Sequence, residues 1–97
     1  MDEQEYLDFL SALGEEFCEA LCHATGQGGI VPQDGYEVCY RVFEREPDPQ
    51  MLASLTDSDL EKLRAGCEEY LGRQGVTLDQ IRSFVSGTLA RWPAGAA

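Results

Sequence analysis

Tyr36-Glu37-Val38-Cys39-Tyr40-Arg41-Val42-Phe43 is the stretch that decides whether this chain is wholly helical. Read with the alternation of a strand, Tyr36, Val38, Tyr40 and Val42 share one face, and their β-branched and aromatic character suits a sheet. Pro32-Gln33-Asp34-Gly35 is then a turn back to a short Ile30-Val31 strand. Read with a helical period, Tyr36, Cys39, Tyr40, Val42 and Phe43 fill one broad arc, with Glu37, Arg41, Glu44 and Arg45 opposite. Asp34 and Glu37 then have the spacing of a capping box, and Pro47 ends the helix. A lone two-stranded hairpin is marginal in water, so the helix is favoured and a small hairpin over 30–43 is the alternative.

Towards the N-terminus, Asp2 to about Thr25 reads as one helix. Tyr6, Leu10, Leu13, Phe17, Ala20 and Ala24 recur at alternating spacings of four and three, with Leu7, Gly14 and Leu21 widening the stripe. Asp8, Glu15, Glu19, Glu5 and Glu16 collect on the other face. Asp2, Glu3 and Glu5 sit at the positive end of the helix dipole, and Gly26 supplies a stop. Towards the C-terminus, Asp48 can cap and Pro49 can open a short helix through Leu52. Thr56-Asp57-Ser58-Asp59 starts the next, with Leu60, Leu63, Cys67, Tyr70 and Leu71 as its apolar stripe and Gly75 as its left-handed cap. Thr77 with Gln80 opens the last helix, whose buried face is Leu78, Ile81, Phe84, Val85, Leu89 and Trp92. The expectation is a mainly α, compact single domain over 1–97, with four to five short helices and a frayed tail at 93–97.

Charge is distributed unevenly along this frame. The chain has 18 acids and 7 bases among 97 residues, for a net charge of −11. Residues 1–40 hold nine of the acids and no Lys or Arg, the first base being Arg41. This argues against nucleic acid or an anionic membrane on the N-terminal part, because phosphate contacts need cations. It permits docking on a basic protein surface. At 43% hydrophobic the chain is no disordered acidic tail. It has no apolar run of membrane-spanning length, and its acidic start is unlike a basic signal peptide, so a cytoplasmic protein is expected.

The residues that carry chemistry give weak patterns. Cys18 and Cys22 lie one helical turn apart, His23 follows, and Cys39 or Cys67 can join them by folding. A Cys18/Cys22/Cys39 metal or redox module is therefore one alternative, although structural zinc sites favour matched pairs of closely spaced cysteines on turns. Packing is the favoured account of the thiols, Cys67 being central in its stripe and Cys18 and Cys22 extending the apolar arc of the first helix. No motif points to catalysis or to a cofactor: acid pairs such as Glu15/Glu16 and Glu68/Glu69 lie on polar faces, and Gly26-Gln27-Gly28-Gly29 follows a helix with no Lys-Ser/Thr after it. Tyr70 to Phe84 resembles a helix-turn-helix. Gly75 takes the turn, Val76 and Ile81 are the buried pair, and Thr77, Arg82 and Ser83 stand on the recognition helix. Residues 57–91 carry six acids and five bases, not the basic footprint of a DNA reader.

The reading that remains is a small acidic, non-enzymatic protein that binds another macromolecule and modulates or inhibits it. The expected partner is a protein with a basic surface, in one form a nucleic-acid-binding protein on which carboxylates stand in for phosphates. The expected binding residues are Asp8, Glu15, Glu16 and Glu19, flanked by Asp2, Glu3 and Glu5. If the acids serve only solubility, Tyr70 and Trp92 are the next places to look.

Overall fold

The computed structural model describes residues 2–25 and 29–92. Five helices follow in order: α1 (Glu3–Thr25), α2 (Gln33–Phe43), α3 (Pro49–Ala53), α4 (Asp57–Leu71) and α5 (Leu78–Arg91), with no strand among the described residues. The expected Gly26 stop and the 93–97 tail lie outside the described residues, as do the side chains of His23 and Ala24.

Residues 36–43 are helical, and the hairpin does not form. The turn that opens α2 is made locally: the Asp34 carboxylate accepts from the Val31 N–H (2.9 Å), and the Asp34 N–H reaches back to the Val31 carbonyl (2.9 Å). The helix therefore begins earlier than the expected capping box. Pro32 is the N-cap, Asp34 lies inside the first turn, and Glu37 bridges Arg41 instead. Val38 and Cys39 are fully buried, whereas Tyr40, expected on the buried arc, is 46% exposed.

α1 is the central element. It packs most extensively on α5 and then on α2. Two neighbours bury more of its circumference than one stripe allows. Phe9, Leu13, Phe17 and Leu21 are fully buried and Ala12 nearly so. Phe9 falls outside the expected stripe because α5 covers that side: its ring meets Trp92 edge-on at 6.5 Å, as Phe17 meets Phe84 at 5.0 Å. Leu7, expected to widen the stripe, is 52% exposed. On the other side α1 and α2 approach closely, because Gly14 and Gly35 leave room. A Cβ at Gly14 would lie 2.6 Å from the Pro32 carbonyl oxygen, and one at Gly35 2.9 Å from the Phe17 Cβ.

Caps hold the remaining helices as their sequences direct. Asp48 accepts from the Met51 N–H (2.7 Å) to start α3, with Pro49 in its first turn. Thr56 with Asp59, and Thr77 with Gln80, form complete capping boxes on α4 and α5. The Thr56 backbone N–H and hydroxyl, both donating to Asp59, hold its carboxyl below the usual range. α4 ends sooner than expected. Gly72, not Gly75, is its left-handed cap (φ 66°), and the Gly72 and Arg73 N–H groups return to the Glu68 and Cys67 carbonyls. Val76 is buried all the same, in the staple position before the α5 cap. The core joins α1 to Val38 and Cys39 of α2, to Leu60, Leu63 and Cys67 of α4, and to Ile81, Phe84 and Val85 of α5. The radius of gyration, 12.4 Å, is that of one packed unit of this length, about 12.5 Å. No helix among the described residues is long and apolar enough to cross a membrane.

Candidate protein-binding surfaces

The core packing turns one side of α1 outward. Asp2, Glu3, Asp8, Glu15 and Glu19 are exposed, and Glu5 is half-buried. They do not form a uniform face. The Asp2 carboxylate accepts from the Glu5 N–H (2.8 Å) and serves the helix start. Asp8 accepts from the Gln4 amide (3.0 Å). Arg91 of α5 reaches Glu15 at 2.9 Å and Glu16 at 3.7 Å. Glu16 also lies along the α1–α5 seam, where a Cβ at Gly87 would touch its carboxylate. Glu3, Asp8 and Glu19 therefore make the open part of the face, with no ion pair among the described residues.

The bases are largely engaged within the chain. Arg41 bridges Glu37, Arg45 bridges Asp48, Arg64 bridges Glu61 and Glu68, Arg82 bridges Asp57 and Asp79, and Arg91 bridges Glu15 and Glu16. This bears directly on the helix-turn-helix residues. The Thr77 hydroxyl is occupied as the α5 cap, the Arg82 guanidinium lies between two carboxylates, and only Ser83 is simply exposed. The connection from Leu71 to Leu78 is also six residues, longer than the turn of about three to four that the motif uses.

The cysteines fall into two pairs. Cys18 and Cys22 are half-buried, with sulfurs 3.5 Å apart, and both face the Ile30 carbonyl at 3.2 and 3.8 Å. The hydrogen bond with Cys22, then burial, pushes the Cys18 thiol up. Cys39 and Cys67 are buried in the α2–α4 contact, where desolvation pushes each thiol up to about 12. Cys39 thus sits with Cys67 in the core. Among the described residues no three His, Cys, Asp or Glu side chains are grouped to hold a metal.

One surface was not anticipated. Tyr36, Tyr40 and Glu44 form a row at one-turn spacing on α2 and its cap, Tyr36 partly buried against the core and the other two exposed. With Glu37, Glu46 and Tyr70 of α4 they line an open groove of about 680 Å³. Tyr36 and Tyr40 stack at 6.0 Å, and the Tyr36 hydroxyl donates to Glu46 (3.2 Å). Arg41 lies over the Tyr70 ring at 5.4 Å while its Nε contacts Glu37 at 2.7 Å. The sequence hid this groove because tyrosines at helical spacing read as core. Their hydroxyls let them stay at the boundary with water. Trp92 is partly buried where it covers Phe9, so of the two fallback aromatics only Tyr70 belongs to an open surface. Compared with known protein families, curated proteins and solved structures, the chain matches none.

Proposed function

We propose that this chain is a non-enzymatic cytoplasmic protein that docks on a basic surface of another protein and thereby modulates or blocks it. The observation that supports this reading is the contrast in its charges. Glu3, Asp8 and Glu19 stand exposed on α1 with no ion pair among the described residues, while five of the seven bases are held by the chain's own carboxylates. The surface therefore offers anions and few free cations. Where the partner binds nucleic acid, the carboxylates occupy the place of phosphates.

Opposed exposed charges steer association and are screened over about 8–10 Å at moderate salt. A partner recovered from the native host should therefore bind at a rate that falls steeply with ionic strength. The variant Glu3→Gln, Asp8→Asn, Glu19→Gln should slow that association at least tenfold and, at physiological salt where repulsion among the acids is already screened, shift the melting temperature little, since all three side chains are exposed. Unaltered rate and salt dependence in stopped-flow or surface-binding kinetics would show that the acids serve only solubility.

A further inference from the structure

We propose that the groove between α2 and the C-terminal end of α4 receives an arginine-bearing segment of the partner protein. The proposal rests on the reading of the chain as a binder of basic partners, but on residues distinct from the α1 face. The fold already holds one example of the contact. Arg41 lies over the Tyr70 ring while its guanidinium is anchored on Glu37. A flat cation on an aromatic face with a carboxylate at its edge is a favourable arrangement for arginine, whose planar fork stacks and hydrogen-bonds together.

The other half of the groove has the same parts without the cation. Tyr40 has Tyr36 stacked against it and is still 46% exposed. Glu44 and Glu46 border it, and neither takes part in an ion pair among the described residues. Arg45, their neighbour in sequence, is drawn to Asp48 instead at 2.9 Å. Glu44 is moreover kept at a left-handed backbone position (φ 56°), the sole non-glycine residue with positive φ among those described. Glycine is the usual residue there. Three carboxylates against one arginine leave the groove negative, and its rings give the preference for guanidinium over ammonium.

The test uses short blocked peptides with the whole chain: Arg-Gly-Arg-Gly-Arg, the same peptide with lysine, and the same peptide with neutral citrulline. Binding is followed by amide chemical shifts. The expected result is that the arginine peptide moves the signals of Tyr36, Tyr40, Glu44 and Tyr70, and binds about three- to tenfold tighter than the lysine peptide. Citrulline should abolish it. Tyr40→Ala should weaken it about three- to tenfold, and Glu44→Gln with Glu46→Gln about two- to fivefold for each charge. The α1 triple variant should still shift the groove signals on binding. Equal affinity for arginine and lysine, or binding indifferent to Tyr40→Ala, would overturn the groove proposal and leave docking through α1 standing. Loss of partner association in the α1 variant is read in a separate experiment, so the two can fail independently.

Discussion

Glu44 occupies a conformation in which its Cβ is a liability. Left-handed φ costs a non-glycine residue on the order of 1 kcal/mol or more, and the residue ends α2 with its N–H on the Tyr40 carbonyl. Glu44→Gly should relieve that strain. Against this, glycine gives the unfolded chain more freedom. The net expectation is a gain of about 0.5–1 kcal/mol in thermal unfolding, with weaker binding of the arginine peptide, the trade expected where a strained residue serves a site. Cys67 is a simpler case. It is fully buried, and Cys67→Ala should cost about 1–3 kcal/mol through lost packing. Alkylation of the native protein should reach Cys18 and Cys22 first, and Cys39 and Cys67 only after unfolding, as peptide mapping would show. The burial of Cys67 was legible, because it sits in the middle of a clean stripe. The exposure of Tyr40 was not, because an amphipathic ring gives the same periodic signal on a core face and on a boundary.

At the scale of elements, local chemistry was legible wherever one residue does one job. Asp48-Pro49, Thr56 with Asp59, and Thr77 with Gln80 each start the helix their sequence marks. Reading failed where neighbours compete or where a second helix intervenes. Gly72 and Gly75 are both competent caps, and the first to be reached, Gly72, ends α4. Phe9 looked peripheral until α5 covered it. On α1 the charges were legible as a face, but Arg91, distant in sequence, removes Glu15 and Glu16 from its open part. Close helix approach gives a paired prediction. Gly14→Ala would press a methyl group on the Pro32 backbone, which cannot yield. It should destabilise by about 1–3 kcal/mol despite about 1 kcal/mol of improved helix propensity. Gly87→Ala meets only the flexible carboxylate end of Glu16. There the propensity gain should win, and denaturant melts should show a neutral or stabilised protein. Equal losses for both would mean that α1–α5 packing is as tight as α1–α2.

For the whole molecule, stability depends on pH at the alkaline end and on salt at neutral pH. On the alkaline side, burial first pushes the Cys39 and Cys67 thiols from 9.0, and the Tyr6 hydroxyl from 10.0, up to about 12. Their folded values are raised, so the stability they provide is complete below pH 9 and is lost as pH rises towards 12. Unfolding followed by circular dichroism should therefore set in above pH 9, together with thiolate and phenolate formation. At neutral pH the governing term is the charge of −11. Its repulsion is spread over the surface, whereas the ion pairs join atoms 2.6–3.7 Å apart. Screening weakens interactions at or beyond the Debye length first, about 8 Å at physiological ionic strength and about 3 Å at 1 M. Moderate salt should thus remove repulsion while sparing most of the attraction of the pairs. The melting temperature at pH 7 should rise as sodium chloride is added from low ionic strength to the physiological range, then level off. The Glu3→Gln, Asp8→Asn, Glu19→Gln variant should show a smaller rise, because part of the repulsion has already been removed. A melting temperature that falls with salt would mean that the arginine–carboxylate pairs, rather than the excess of acids, dominate the electrostatics of the fold. The open acids of α1 would then carry no strain for a basic partner to relieve.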